Sequence, residues 1–229
     1  MSPILTHVRG SMSSPLVQLL HELNLVKSGS INILRLTQDD HHSKSGGIAG
    51  PIFTKLTCVY LDVENDVPCM WEPGAIMEHI LETYDTKFQM HPPPPNSLSL
   101  PTEAVGAFFH STCRPNYLKL KEYITVIVHP HISRMLSEYS KQTHEMKEEN
   151  YDFIKELKFL RESIVPTLRR DGLRESSFIL GENISALDIL LCKSLRDLET
   201  MGLLSEFPDL MALLDKVSNR PTYRAAYRD

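Results

Sequence analysis

The stretch from Trp71 to Asp85, WEPGAIMEHILETYD, limits the fold more tightly than any other part of the chain. An apolar, strand-like run from Val67 to Trp71 stops at the acidic Glu72, and a helix starts at once. Pro73 suits the first helical position, where its missing N–H costs nothing and its φ is already helical. Ile76, Ile80 and Tyr84 then fall on one face, with Met77 and Leu81 beside them. A strand feeding a helix beside a carboxylate makes a usable corner for a zwitterion. The helix N–H groups take a carboxylate, and Glu72 takes an ammonium.

The residues before this corner alternate between strand and helix patterns. Ile4 to Val8 reads as a first strand and Gly10 to Ser14 as a loop. Ser14-Pro15 predicts a helix start with Ser14 as N-cap, and Leu16, Leu19, Leu20 and Leu23 form its apolar face up to Asn24. Ile31 to Leu36 alternates as a second strand, which makes a right-handed parallel βαβ unit. Thr37 to Phe53 is polar and Gly-rich, hence loop. Cys58 to Leu61 and Val67 to Trp71 read as strands around a Glu64-Asn65-Asp66 turn, and Pro68 assigns the second to a sheet edge. The order β-α-β, loop, β-β-α is that of a thioredoxin-like domain without its paired cysteines.

Pro92 to Pro95 cannot be helical and predicts a semi-rigid spacer rather than a ligand for a proline-binding module. Beyond Pro101 the pattern is helical to the end. A helix opening on Ala104, Ala107, Phe108 and Ser111 is expected to bend or stop at Arg114-Pro115. Another apolar helix is expected to break at His129-Pro130-His131, and a third, marked by Phe153, Leu157, Leu160 and Ile164, to end near Pro166. Lys141 to Asn150 is strongly charged and reads as a solvated face or turn. Ser185 and Asp188 are spaced as a capping box, with Ile184 and Ile189 placed as a staple, for a helix that stops at Gly202. The domain reading is therefore 1–86, a linker at 87–100, and an all-α domain at 101–229.

Composition removes several alternatives. A net charge of −5 and a pI near 6.1 give no pull toward nucleic acid or anionic membrane. No apolar run approaches the ~20 residues a membrane helix needs. The start of the chain lacks a secretory pattern. Four scattered cysteines, Cys58, Cys69, Cys113 and Cys192, form no C-x-x-C and read as free core thiols in a cytoplasmic protein.

Three separated motifs resemble the glutathione transferase family. Glu72-Pro73-Gly74-Ala75-Ile76…Tyr84 is similar to its Glu-Ser-Gly-Ala-Ile…Tyr segment. Phe178-Ile179-Leu180-Gly181 followed by Ser185 and Asp188 resembles its core helix entry, and Asn219-Arg220-Pro221 to Ala226 resembles its ending. The resemblance implies a thioredoxin-like N-terminal domain plus an all-α C-terminal domain, and a homodimer. It implies glutathione as co-substrate, no metal, and conjugation of the thiolate to a small electrophile, or glutathione-dependent reduction, in the service of detoxification. A non-catalytic ligand carrier or assembly module on the same fold is the alternative.

The chemistry requires a thiolate near neutral pH, and lowering a thiol pKa from ~8.5 by two units takes roughly 2.7 kcal/mol. A hydroxyl near a helix N-terminus supplies energy of that order. Counting back from the helix start as in serine-type members, the activating Ser falls on Ser11, with Ser13 in reserve. No Tyr occupies the first strand or its loop. By the same resemblance Lys55, Leu56 and Thr57 supply the backbone pair for glutathione, and Glu72 and Pro73 meet its γ-glutamyl end. Thr57 stands where the family has a cis-proline, and Pro73 where it usually has Ser. Val67-Pro68 lies too close to Glu72 to be that proline. Phe109, Cys113 and Tyr117 are the expected acceptor-substrate residues.

The histidines suggest nothing further. His41-His42 and His129-x-His131 lack a third ligand at metal spacing and read as solvent-exposed or capping residues. Ser11, His7 and Asp62 do not make a hydrolytic triad, since nothing resembles a nucleophile elbow.

Overall fold

The computed structural model describes residues 2–36, 58–63, 65, 67–93, 113–142, 151–173 and 177–227. The chain divides into two compact units, Met1–Thr86 with Ser218–Asp229, and Lys87–Val217.

The first unit is a four-stranded mixed sheet with helices. β1 (Ile4–Val8), α1 (Ser14–Glu22) and β2 (Asn32–Leu36) form the expected parallel βαβ unit, in register Ile4↔Asn32 through Val8↔Leu36. β3 (Tyr60–Asp62) runs antiparallel to β1, and β4 (Val67–Met70) antiparallel to β3, giving the order β2-β1-β3-β4. Pro68 thus lies in an edge strand, where a missing donor is tolerated. α2 (Pro73–Tyr84) follows, burying Ile76, Met77, Ile80 and Leu81. The core adds Leu5, Leu16, Leu19, Leu20, Ile31 and Tyr60.

Two local expectations for this unit are corrected. The strand expected at Cys58 to Leu61 begins only at Tyr60. The Thr6 N–H donates to the Val59 C=O at 2.8 Å, but the Val59 N–H goes to the Thr6 hydroxyl at 2.7 Å, so a side chain replaces one of the two ladder bonds there. Ser14 is not the N-cap of α1. Ser13 holds that position without capping through its side chain, because its hydroxyl is engaged with His7 and Val8, and Ser14 Oγ instead accepts the Gly10 N–H at 3.0 Å. The end of α1 is as the sequence implies, with Asn24 at φ +57° and Leu25 N–H donating to Leu20 C=O at 2.9 Å.

The tail packs on this unit. α9 (Pro221–Tyr227) lies against α1, and the Arg220 guanidinium donates to both oxygens of Glu22 at 2.6 and 2.7 Å. Thr222 adds a hydroxyl to the same carboxylate.

The second unit is helical. α3 (Arg114–Tyr123) passes through a π-helical stretch, Ile124–Val128, directly into α4 (His129–Gln142). α5 (Tyr151–Phe159) passes through a second, Leu160–Ile164, into α6 (Val165–Asp171). The expected break at Pro130 and end near Pro166 are therefore replaced by continuous helix. Each proline sits two residues beyond a widened turn, where the i→i−5 pattern relieves the missing donor and the ring clash with residue i−4. Pro115 lies in the first turn of α3. The pattern expected from Ala104 to Ser111 lies outside the described residues.

α7 (Ala186–Thr200) carries the expected capping box. The buried Asp188 carboxylate accepts the Ser185 N–H and hydroxyl at 2.7 and 2.6 Å, and the Ile179 N–H at 2.8 Å. A 3₁₀ turn at Leu204–Glu206 and α8 (Pro208–Ser218) complete the unit. The start of the proline-rich stretch is packed here. Pro92 C=O accepts from Arg114 at 2.8 Å, and Met90 C=O accepts the Ala186 N–H at 2.8 Å. Pro94 and Pro95, and all but the first two residues of Lys141 to Asn150, lie outside the described residues.

Candidate functional site

The strand register brings three chain segments to one end of the sheet. Val8, the last residue of β1, pairs with Leu36 at the end of β2. β3 is antiparallel and enters beside Thr6, and β4 leaves opposite Tyr60 through Met70. The β1–α1 loop, the entry to β3 and the start of α2 therefore share the carboxyl edge of β1, where ligands gather in open α/β sheets.

Ser11 is half-buried in the β1–α1 loop, which Gly10 turns with φ +74°. Its Oγ lies 2.7 Å from Ser13 Oγ and accepts the Ser13 N–H at 3.1 Å. Ser13 is fully buried and its Oγ lies 2.8 Å from His7 Nδ1. The Ser13 oxygen also takes the Val8 N–H at 3.2 Å. Burial, aided by the positive charge of Arg35, lowers the His7 pKa to about 4, so the ring is neutral at pH 7.

Glu72 is exposed and caps α2 with its own side chain, accepting the Gly74 N–H at 3.2 Å. Burial, with the Glu72 charge behind it, pushes the Cys58 thiol up to about 12. Lys55, Leu56 and Thr57 are the residues expected to supply the backbone pair for glutathione. Those three residues lie outside the described residues, as does Phe109.

The remaining expected site residues belong to the helical unit. Cys113 is half-buried at the N-cap of α3, and Tyr117 is fully buried, its ring 6.2 Å from that of His91 and beneath Arg114 at 5.9 Å. This unit also holds a cavity of about 350 Å³, lined chiefly by Leu120, Tyr123, Val126 and Ile127 with the Lys119–Asp171 ion pair at its edge.

Other readings of the sequence resolve plainly. Asp62 accepts from Asn65 at the opposite end of the sheet from Ser11, which separates it from His7. His129 and His131 are buried, not exposed. His129 bonds Ser194 at 2.5 Å, and His131 bridges the side chain and carbonyl of Glu156. They face inward from α4 toward α7 and α5. All four cysteines are free, but only Cys58 and Cys192 are buried, which corrects the expectation of four core thiols. Among the described residues there is no cluster of three metal-binding side chains, and no helix is long and apolar enough to cross a membrane.

The sequence reading missed His7 as a partner of the serine loop. Its signal is a histidine in the first strand, six residues before the serine it contacts.

Comparison with known proteins bears on the fold. Residues 127–226 match the family model described as glutathione S-transferase, C-terminal domain. A glutathione transferase homologue of Lodderomyces elongisporus, solved with two GSH per subunit, is 13% identical with a TM-score of 0.70, covering 99% of this chain and 97% of its own. A glutathione transferase of Phanerochaete chrysosporium, solved with oxidized glutathione, is 17% identical with a TM-score of 0.69, covering 98% and 93%. Glutathione transferase F7 of Populus trichocarpa is 15% identical with a TM-score of 0.66, covering 98% and 97%. No curated protein sequence matches. The chain is glutathione transferase-like: it has that fold, a small mixed-sheet domain followed by a helical one, and the family's sequence pattern in the helical part.

Proposed function

We propose that the chain binds glutathione at the carboxyl edge of β1 and transfers its thiolate to a small electrophile. The observation that carries this reading is Ser11, a half-buried hydroxyl held at the start of α1 where three chain segments converge. Solved structures of the same fold hold glutathione, which supports the choice of ligand. In this reading Ser11 donates to the thiolate, Glu72 takes the glutathione ammonium, and Lys55, Leu56 and Thr57 supply backbone bonds. Pro73 fills the position at which the family's Ser would donate, so affinity rests on the N–H groups that follow it. Cys113, Tyr117 and Phe109 are assigned to the acceptor side. A cytoplasmic homodimer is part of the same proposal.

Ser11→Ala tests it. The variant should raise the pKa of bound glutathione, read by ultraviolet difference titration of the thiolate. It should lower turnover of an activated aryl chloride roughly 10–100-fold, ~1.4 kcal/mol being tenfold. Unchanged titration would remove Ser11 from the role.

A second reading has its own observation. The Gly74 N–H donates to Glu72, so a donor that a ligand carboxylate would use is already occupied by the chain itself. That favours a non-catalytic carrier or assembly module on the same fold. Retention on immobilised glutathione, which Ser11→Ala leaves intact in the enzymatic reading, separates the two.

A further inference from the structure

Two hydroxyls and an imidazole form a chain that ends at the proposed sulfur site, and its direction is set from the inner end. His7 is 2% exposed. Its ring bonds the Ala226 backbone, a contact that favours the protonated ring and therefore involves the carbonyl. A carbonyl only accepts, and Nδ1 is already taken by Ser13, so Nε2 carries the proton. Arg35 on β2 and Arg9 beyond β1 are the charges that act on this ring, and both oppose a second proton. Nδ1 is left with a lone pair 2.8 Å from Ser13 Oγ, a nearer acceptor for the Ser13 proton than the Val8 C=O at 3.3 Å, and neither acceptor leaves that proton for Ser11. With its one proton committed, Ser13 can only accept in the 2.7 Å contact with Ser11. The Ser11 proton therefore points inward, toward Ser13.

We propose that Ser13, held by His7, competes with the ligand sulfur for the Ser11 proton, so that both are positioning residues that limit how far a bound thiol is acidified. This rests on the glutathione reading above. When the thiol ionises, its proton leaves to water and Ser11 keeps its own. The Ser11 O–H swings from Ser13 to sulfur, while Ser13 retains the Val8 N–H and the His7 ring. The thiolate gains only the difference between a charge-assisted bond and the neutral bond it replaces.

Removing either positioning residue should release the Ser11 proton. In Ser13→Ala the backbone N–H of residue 13 still holds Ser11 Oγ, but the competing acceptor is gone. In His7→Leu the Ser13 proton keeps two acceptors, the Val8 C=O at 3.3 Å and Ser11 Oγ at 2.7 Å, and the shorter contact draws it toward Ser11, which reverses the chain. The experiment is the ultraviolet titration of bound glutathione in the full-length wild type and both variants, with long-range ¹H–¹⁵N NMR of His7 in the wild type. Both variants should lower the bound-thiol pKa, giving about three- to tenfold more thiolate at fixed pH, as one neutral hydrogen bond implies. The NMR should show a protonated Nε2 and a bare Nδ1, a result independent of how well the variants fold. A raised or unchanged thiol pKa in the folded variants, or an Nδ1–H ring, overturns the proposal while leaving glutathione binding intact. A wild type that binds no glutathione overturns the functional reading itself, and this proposal with it.

Discussion

The carboxylate of Glu72 accepts the N–H of Gly74 at 3.2 Å, so the acidic residue that opens α2 is also its cap. A capping carboxylate and a ligand ammonium can share the group, because its two oxygens offer about four acceptor directions. Glu72→Gln keeps a capping oxygen and removes the charge. The variant should bind glutathione about 10–150-fold more weakly, the loss of one charge-assisted hydrogen bond, with little change in stability. Calorimetry paired with urea denaturation measures both.

The capping box of α7 makes a stability prediction that leaves the proposed site untouched. Ser185→Ala should cost about 1 kcal/mol. Asp188→Ala should cost more, about 2–4 kcal/mol, because it strips the acceptor from the buried N–H groups of Ile179 and Ser185. Urea midpoints at pH 7 check the order.

Arg220 is predicted to stabilise the sheet unit although it lies far along the chain. Arg220→Ala leaves the Glu22 carboxylate, 8% exposed, with only the Thr222 hydroxyl of its two side-chain partners in the tail. Because Arg220 is 37% exposed, the loss should lie between that of a surface pair and that of a buried one, about 1–3 kcal/mol. Arg220→Lys should recover part of it, and thermal unfolding followed by near-ultraviolet dichroism is a suitable measurement.

Acid should destabilise the chain through two histidines. Burial lowers His7 to about 4, with Arg35 adding to it, and lowers His129 to about 3, with Lys193 adding to it. The unfolded chain, with histidines near their ordinary 6.5, binds these protons first. Stability from both groups is therefore complete above pH ~6.5 and is lost as the pH falls toward the folded values. Each should take away about 2 kcal/mol between pH 7 and pH 5, at 1.36 kcal/mol per unit. His129→Gln should flatten that slope in denaturant titrations at the two pH values.

What the sequence disclosed was written in local patterns. The βαβ unit, the α2 corner and the Ser185–Asp188 box each depend on residues within a few positions of one another, so periodicity and capping chemistry reveal them. Pro130 and Pro166 misled because a proline reads as a helix end, whereas a preceding π-turn lets the helix continue, and no residue type announces that turn. The late start of β3 depends on the Thr6 hydroxyl, 53 residues away from Val59. The His7–Ser13 contact was hidden for a related reason. A histidine in a strand gives no sign of its ring's direction until the loop after it is folded back.

Glutathione affinity tests the central claim most directly. Pro73 lacks the donor that a Ser would offer, and Gly74 N–H is shared with Glu72, so wild-type binding should be weak and present in the millimolar range. Calorimetry of the full-length protein with glutathione should show that binding, and Pro73→Ser should tighten it by about tenfold or more, as one regained charge-assisted hydrogen bond implies. No heat of binding at millimolar glutathione, in the wild type and in Pro73→Ser alike, would contradict the account.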